Sequence, residues 1–278
     1  MSQACCDELA IDRAPRRERR GPVAGNPNFL PRTGDPDSHR RVHETPLDAC
    51  VRHLSPVLRP NSAVLDLGCG DGALTGAFAS QRLRAYGVDL DVRRLANGRR
   101  RETGMGRAAF LSCSAESLPF ASGQFDAIIS VSVLQYVDWR RVVEECRRVL
   151  RPGGRAAFLE NLRGHPLARA YRVVRRRAWA YPRFQTPRSH IDWNDRSAFQ
   201  AAFPGAQLKA YHLLTPLLLT PHALRERRPD KFSPMARRAF DLLAGIDGQL
   251  LSRWQRLSRA GWLFTALCTK PDSSLEAS

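Results

Sequence analysis

The sequence predicts an α/β protein built on a doubly wound, mostly parallel seven-stranded sheet, with helical insertions in its C-terminal half. Three observations carry that prediction. The apolar run Ala63 to Leu67 breaks into Gly68, Gly70 and Gly72, which reads as a buried parallel strand turning tightly into a helix. A second apolar run, Ala85 to Leu90, brings Asp89 in about 20 residues further on. Beyond it, short apolar runs alternate with segments of helical period, as in consecutive βα units.

The elements follow in order. Residues 1 to 40 read as an unstructured basic arm, with arginines from Arg13 to Arg20 and prolines at 15, 22, 27, 31 and 36. Such an arm is either an electrostatic tether to RNA or lipid headgroups or a solvated tail. Residues 41 to 162 form the cofactor-binding core. It opens with a helix from Pro46 to Leu58, whose apolar residues recur at three and four. After the first strand, Leu74, Phe78 and Leu83 continue at helical spacing; after the second, Asp91 to Arg101 is an arginine-studded helix. Phe110-Leu111 starts a third strand and Phe125 to Val131 is the fourth. Trp139 to Leu150 is a helix stopped by Arg151-Pro-Gly-Gly154, and Ala156 to Leu159 a fifth strand ending at Glu160-Asn161.

Residues 163 to 278 hold the lid and specificity insertions with the last two strands. His165 to Tyr181 is an amphipathic, strongly basic helix, read as a lid with a solvated back, or as a surface for a membrane or polyanion. A loop rich in rings follows to Trp193, and Asn194 or Asp195 caps a helix through Phe203. Gln207 to Leu214 and Trp262 to Thr269 are strands six and seven, and His222 to Leu257 between them is helical.

Composition narrows the functional classes. The chain has 278 residues, 43% of them hydrophobic, enough for a sizeable core. No apolar run approaches the ~20 residues that span a bilayer. The seven cysteines are scattered, no metal-ligand cluster stands out, and the first residues lack an apolar signal core, so the expected setting is the cytoplasm with reduced thiols. The net charge of +17 is nearly all arginine. It reads either as compositional bias or as a peripheral contact with RNA or an anionic membrane.

The chemistry is concentrated at the glycines. A dinucleotide site uses Gly-x-Gly-x-x-Gly with pyrophosphate at the helix N-terminus. Here the spacing is Gly-x-Gly-x-Gly, and Asp66 and Asp71 repel a phosphate but tolerate an uncharged ribose and a sulfonium cation. Asp89 is placed to accept from ribose hydroxyls. These residues, together with Ala115-Glu-Ser-Leu-Pro-Phe120, Phe125-Asp126 and Arg148-Val-Leu-Arg-Pro-Gly-Gly154, resemble the class I S-adenosylmethionine-dependent methyltransferases. The resemblance is in particular to the small-molecule branch that includes the ubiquinone and menaquinone methyltransferases. The resemblance covers Val64 to Glu160.

The resemblance implies S-adenosyl-L-methionine as cofactor, cradled by Asp66, Gly68 and Gly70, with Asp89 on the ribose and Leu90 against the adenine face. The family's acidic adenine partner falls at Ser114, a departure that leaves the bond to Ser114 or Glu116 beside the small Ala115. Ser130 lies by the methionine half. Transfer to oxygen or an acidic carbon needs a base, for which the candidates are His190, His165 and Tyr136, with Glu160 and Asp138 behind them. The acceptor is a small or lipid-linked metabolite, an apolar one suiting Phe184, Trp193, Phe199 and Leu213-Leu214. The alternatives are an RNA or protein methyltransferase, and a methyltransferase-like binding partner without turnover.

Overall fold

A computed structural model of the chain describes residues 37–101, 107–167, 169, 190–218 and 233–272. The basic arm up to residue 36, most of the basic helix read over 165–181, the ring-rich loop up to residue 189, and the start of the 222–257 segment lie outside the described residues.

The strands are β1 (Ala63–Leu67), β2 (Arg84–Asp89), β3 (Ala108–Ser112), β4 (Phe125–Val131), β5 (Leu150–Asn161), β6 (Gln207–Tyr211) and β7 (Leu263–Thr269). They form one sheet in the order β3-β2-β1-β4-β5-β7-β6, with β7 antiparallel to both of its neighbours. Every residue of β1 is buried, the signature of a central parallel strand covered on both faces. The helices are α1 (Asp37–Leu54), α2 (Ala73–Ser80), α3 (Val92–Arg101), α4 (Trp139–Val149), α5 (Arg196–Ala202) and α6 (Pro234–Arg253).

Alternation along the strands divides the core into two layers. On one face Leu65, Ile128, Phe158 and Phe264 pack against Trp139 and Val142 of α4 and Phe199 of α5. On the other Val64, Ala127, Ile129 and Leu159 meet Leu47, Val51 and Leu54 of α1, Phe78 of α2 and Phe240 of α6. Phe199 is fully buried, stacked on Trp139 at 5.3 Å between ring centroids. It belongs to the core and does not line an acceptor pocket, because the helix that carries it needs an anchor against α4.

Several boundaries differ from expectation. Helix α1 begins nine residues before Pro46, so residues 37–40 of the expected arm are helical and Pro46 sits inside the helix. A proline there has no N–H for the carbonyl four residues back, which is that of Val42. The structure replaces it: His212 Nε2 lies 2.8 Å from the Val42 oxygen. β5 starts at Leu150, and Arg151-Pro-Gly-Gly154 forms an irregularity within it, because Leu150 pairs with Phe125 before the register shifts at Ala127 and Arg155. β6 ends at Tyr211, where His212 turns to φ 62°. Asp195 stands at the N-cap of α5, as one of the two expected residues, but makes no side-chain cap bond there; Asp192 caps the 3-10 turn Trp193–Asp195 ahead of it, its side chain accepting from Asn194 N and its N–H donating to Asp195 Oδ2 at 2.9 Å.

Candidate active site

The carboxyl ends of β1, β2, β4 and β5 meet at one edge of the sheet, and the glycine turn crosses it. Three contacts shape that turn. Cys69 N donates to Val88 O at 2.9 Å, Gly70 N donates to Asp89 Oδ2 at 2.8 Å, and Gly72 N donates to Cys69 O at 2.9 Å. The other Asp89 oxygen accepts from Asp91 N at 2.9 Å. Two backbone donors therefore orient the Asp89 carboxylate at the tip of β2, beside the turn. Leu90 follows it with 67% of its surface exposed, an open apolar shelf at the end of β2.

The glycines are needed for contact as much as for conformation. A Cβ on Gly68 would stand 2.2 Å from Val133 Cγ2, and one on Gly70 would stand 2.1 Å from the Arg94 guanidinium. Both residues have positive φ, 69° and 55°, a region L side chains rarely adopt. Arg94, whose Nε is 3.8 Å from Asp71, brings a cation over the turn that spacing arguments did not reveal. Its signal was only its place on the arginine-rich α3.

Two buried acids flank the turn. Asp66 accepts the Thr75 hydroxyl at 2.6 Å, and burial pushes its carboxyl up to about 6 despite that bond. Glu160, at the end of β5, is 1% exposed. One oxygen accepts from Val133 N at 2.8 Å and Leu134 N at 3.0 Å. The other has no partner, nor does the buried Ser130 Oγ on β4. Burial outweighs the two amide donors and raises Glu160 to about 8.

Both carboxyls hold protons that the unfolded chain releases. The stability this contributes is complete in acid, below the unfolded pKa values, and is lost as pH rises through about 6 for Asp66 and about 8 for Glu160. The slope reaches roughly 1.4 kcal/mol per pH unit for each group. Urea unfolding between pH 5.5 and 8 should therefore show stability falling with pH, less steeply in Glu160→Gln. Equal slopes in the two proteins would place the titration elsewhere.

The adenine side is partly committed to structure. Ser114 Oγ accepts from Glu116 N at 3.2 Å, and Glu116 Oε1 accepts from Asp138 N at 2.7 Å, at the start of α4. Ala115 between them is buried. Asp126, in the Phe125-Asp126 pair, serves the opposite edge: it accepts from Ala63 N at 2.8 Å and from Arg151 Nε at 2.7 Å, tying β1, β4 and β5 at their starts.

The base candidates are spread along the ligand edge. Tyr136 ends the short turn after β4, and its amide donates to Val133 O. His190 precedes Ile191, which bridges Leu162 just beyond β5. His165 is buried, its Nε2 3.0 Å from Leu213 O. The structure thus puts His190 and Tyr136 at the same edge, while one nitrogen of His165 is spent on the chain after β6.

A doubly wound sheet with an acid-flanked glycine turn at its switch point and a ribose-type carboxylate on the next strand defines a nucleoside-binding α/β protein of Rossmann-like type. Residues 65–158 match the model of a family described as a methyltransferase domain. The chain is 35% identical over 113 residues to the demethylmenaquinone methyltransferase of Clavibacter sepedonicus, covering 40% of this chain and 45% of that protein. It is 32% identical over 117 residues to the ubiquinone biosynthesis O-methyltransferase of Pseudomonas aeruginosa strain UCBPP-PA14, covering 40% and 49%. The fold is shared with the Haemonchus contortus phosphoethanolamine N-methyltransferase 2, at TM-score 0.57 and 20% identity over 82% of this chain and 53% of that one. Residues 65–158 thus match a methyltransferase domain, and the chain is similar over that part to S-adenosylmethionine-dependent methyltransferases of class I fold. It spans just under half the length of the two curated relatives.

Proposed function

We propose that this protein transfers a methyl group from S-adenosylmethionine to a small or lipid-linked acceptor. The observation that carries the reading is the pairing of Asp89, fixed by the Gly70 and Asp91 amides, with a left-handed glycine turn at the carboxyl end of β1. An uncharged sugar diol suits that carboxylate. The acceptor class rests on the matched relatives, which are named for menaquinone and ubiquinone.

The cofactor, when bound, supplies an electrophilic methyl on a sulfonium. The protein's residues do the rest. Asp89 binds the ribose, and Leu90 with Ala115 gives the adenine an apolar bed, with Ser114 or Glu116 meeting its edge. Asp66 and the Gly68-to-Gly70 backbone hold the methionine half against the end of β4 at Ser130. Holding the acceptor in line at about 3 Å from the methyl provides proximity catalysis. His190 or Tyr136, at the same sheet edge, takes the acceptor's proton where the attacking atom carries one.

Calorimetric titration with S-adenosylhomocysteine tests the reading. Wild type should bind it, and Asp89→Ala should bind it about 10- to 100-fold more weakly, the loss of roughly 1–3 kcal/mol of charge-assisted hydrogen bonding. Absence of binding by wild type would refute the proposal, and equal binding by both proteins would remove Asp89 from the site.

A further inference from the structure

The turn that follows β4 is held in an unusual way. Ser132 stands at φ 58°, a left-handed conformation that a non-glycine residue keeps only when its surroundings impose it. Its amide donates to Leu159 O at 2.8 Å, and the next two amides, of Val133 and Leu134, both donate to one oxygen of Glu160. Gln135 is buried, and its Nε2 reaches back to Ser132 O at 3.4 Å. Every donor at the start of the turn is thus taken by β5 or by a side chain at its end.

The far side of the same turn touches the cofactor loop. The Val133 isopropyl group occupies the space that a Cβ on Gly68 would need, with Cγ2 at 2.2 Å and Cγ1 at 3.1 Å from that position. One residue therefore joins two structures: its amide is fixed by Glu160, and its side chain is pressed on Gly68.

We infer that Glu160 is a positioning residue which, through Val133, sets the spacing between the turn after β4 and the glycine loop, and with it the width of the groove for the methionine half of the nucleoside. The inference rests on the methyltransferase reading for the identity of the ligand but not for the mechanical link. A carboxyl group suits the task because a single oxygen accepts two neighbouring amides. Its remaining oxygen and Ser130 Oγ are both buried without a partner, a cost of the kind kept at working sites rather than in inert cores. Glutamine offers the same accepting oxygen in the same shape, whereas alanine leaves two amides unpaired and lets the turn drift from the loop.

The test compares Glu160→Ala, Glu160→Gln, Val133→Ala and a control, Phe125→Leu, at the opposite edge of the sheet. Two readouts are taken: calorimetric affinity for S-adenosylhomocysteine, and amide hydrogen exchange over 68–72 and 132–136. Glu160→Ala should bind at least about tenfold more weakly, and Val133→Ala several-fold more weakly. Glu160→Gln and Phe125→Leu should stay within about threefold of wild type, the latter despite its lower melting temperature. In Glu160→Ala, exchange protection should fall in both segments, and glutamine should restore it. Loss confined to 132–136, wild-type affinity in Val133→Ala, or glutamine behaving like alanine would each overturn the inference. Failure of wild type to bind the nucleoside would instead remove the proposed function, and the exchange comparison would still decide the link between Glu160 and the loop.

Discussion

Gly68→Ala should abolish measurable binding of S-adenosylhomocysteine, an expected loss of at least about 100-fold. Two independent penalties fall on this position. An alanine at φ 69° costs roughly 1–2 kcal/mol in conformation alone. Its methyl would also meet Val133 Cγ2 at 2.2 Å, a separation that one partner must open. Val133 has no easy retreat, because its own amide and that of Leu134 are held by Glu160. The loop must therefore move, and it carries the Gly70 amide that orients Asp89. Gly76→Ala is the matched control. It sits within α2 with open space around the added methyl, so it should keep full affinity and gain up to about 1 kcal/mol of stability. Retained binding by Gly68→Ala would show that the turn does not shape the nucleoside site.

The second large effect lies away from the glycines. Asp247 on α6 is 2% exposed and accepts from Leu213 N, Leu214 N and Thr215 N at 2.9, 2.8 and 3.2 Å, with Thr215 Oγ1 at 3.1 Å. Asp247→Ala leaves three backbone donors without an acceptor in a site closed to water. At about 1–3 kcal/mol for each buried unpaired group, with incomplete additivity, urea unfolding should show a loss of about 3–5 kcal/mol. Asp247→Asn keeps one accepting oxygen and should lose about half as much. A change below about 1 kcal/mol in the alanine variant would mean that the turn is hydrated once the acid is gone.

The same turn also decides a protonation state. His212 Nε2 must donate to the Val42 carbonyl, so its Nδ1, 2.9 Å from Thr215 Oγ1, is the accepting nitrogen of a neutral ring. Burial, which lowers the pKa of His212, keeps it so. Thr215 Oγ1 stands between two acceptors, 2.9 Å from His212 Nδ1 and 3.1 Å from Asp247 Oδ2, and its single hydrogen serves one of them at a time.

What could be read from sequence was what is local or periodic. The glycine turn, Asp66, Asp89 and the alternation of runs and helices each announce themselves within a window of a few residues, and the sheet follows from their order. Pairings across long separations carry no such mark. Nothing near Glu160 signals that it will hold the amides of Val133 and Leu134. Nothing near Asp247 signals the turn at 213–215, which lies more than 30 residues away in the chain. The apolar recurrence at three and four puts the helix start at Pro46. The structure tolerates it inside α1 because a histidine 170 residues downstream of Val42 supplies the missing donor. Glu116 looked available to a ligand, and its bond to Asp138 N, 22 residues on at the start of α4, carries no local mark.

The seat of α1 bears on the order in which the chain assembles. Its apolar face rests on β5 and β7, His53 Nε2 lies 2.9 Å from Cys268 O across 215 residues, and the Arg155 guanidinium donates to His53 O. Strand β7 in turn separates β5 from β6. A ribosome therefore releases α1 long before the surface that receives it exists, while β1 to β5 pair in sequence behind it. Until β7 inserts, the part of the α1 face that meets β7 has no partner, an arrangement of high contact order. The final seat of α1 therefore waits for the last strand of the chain, which closes its contact across more than 200 residues.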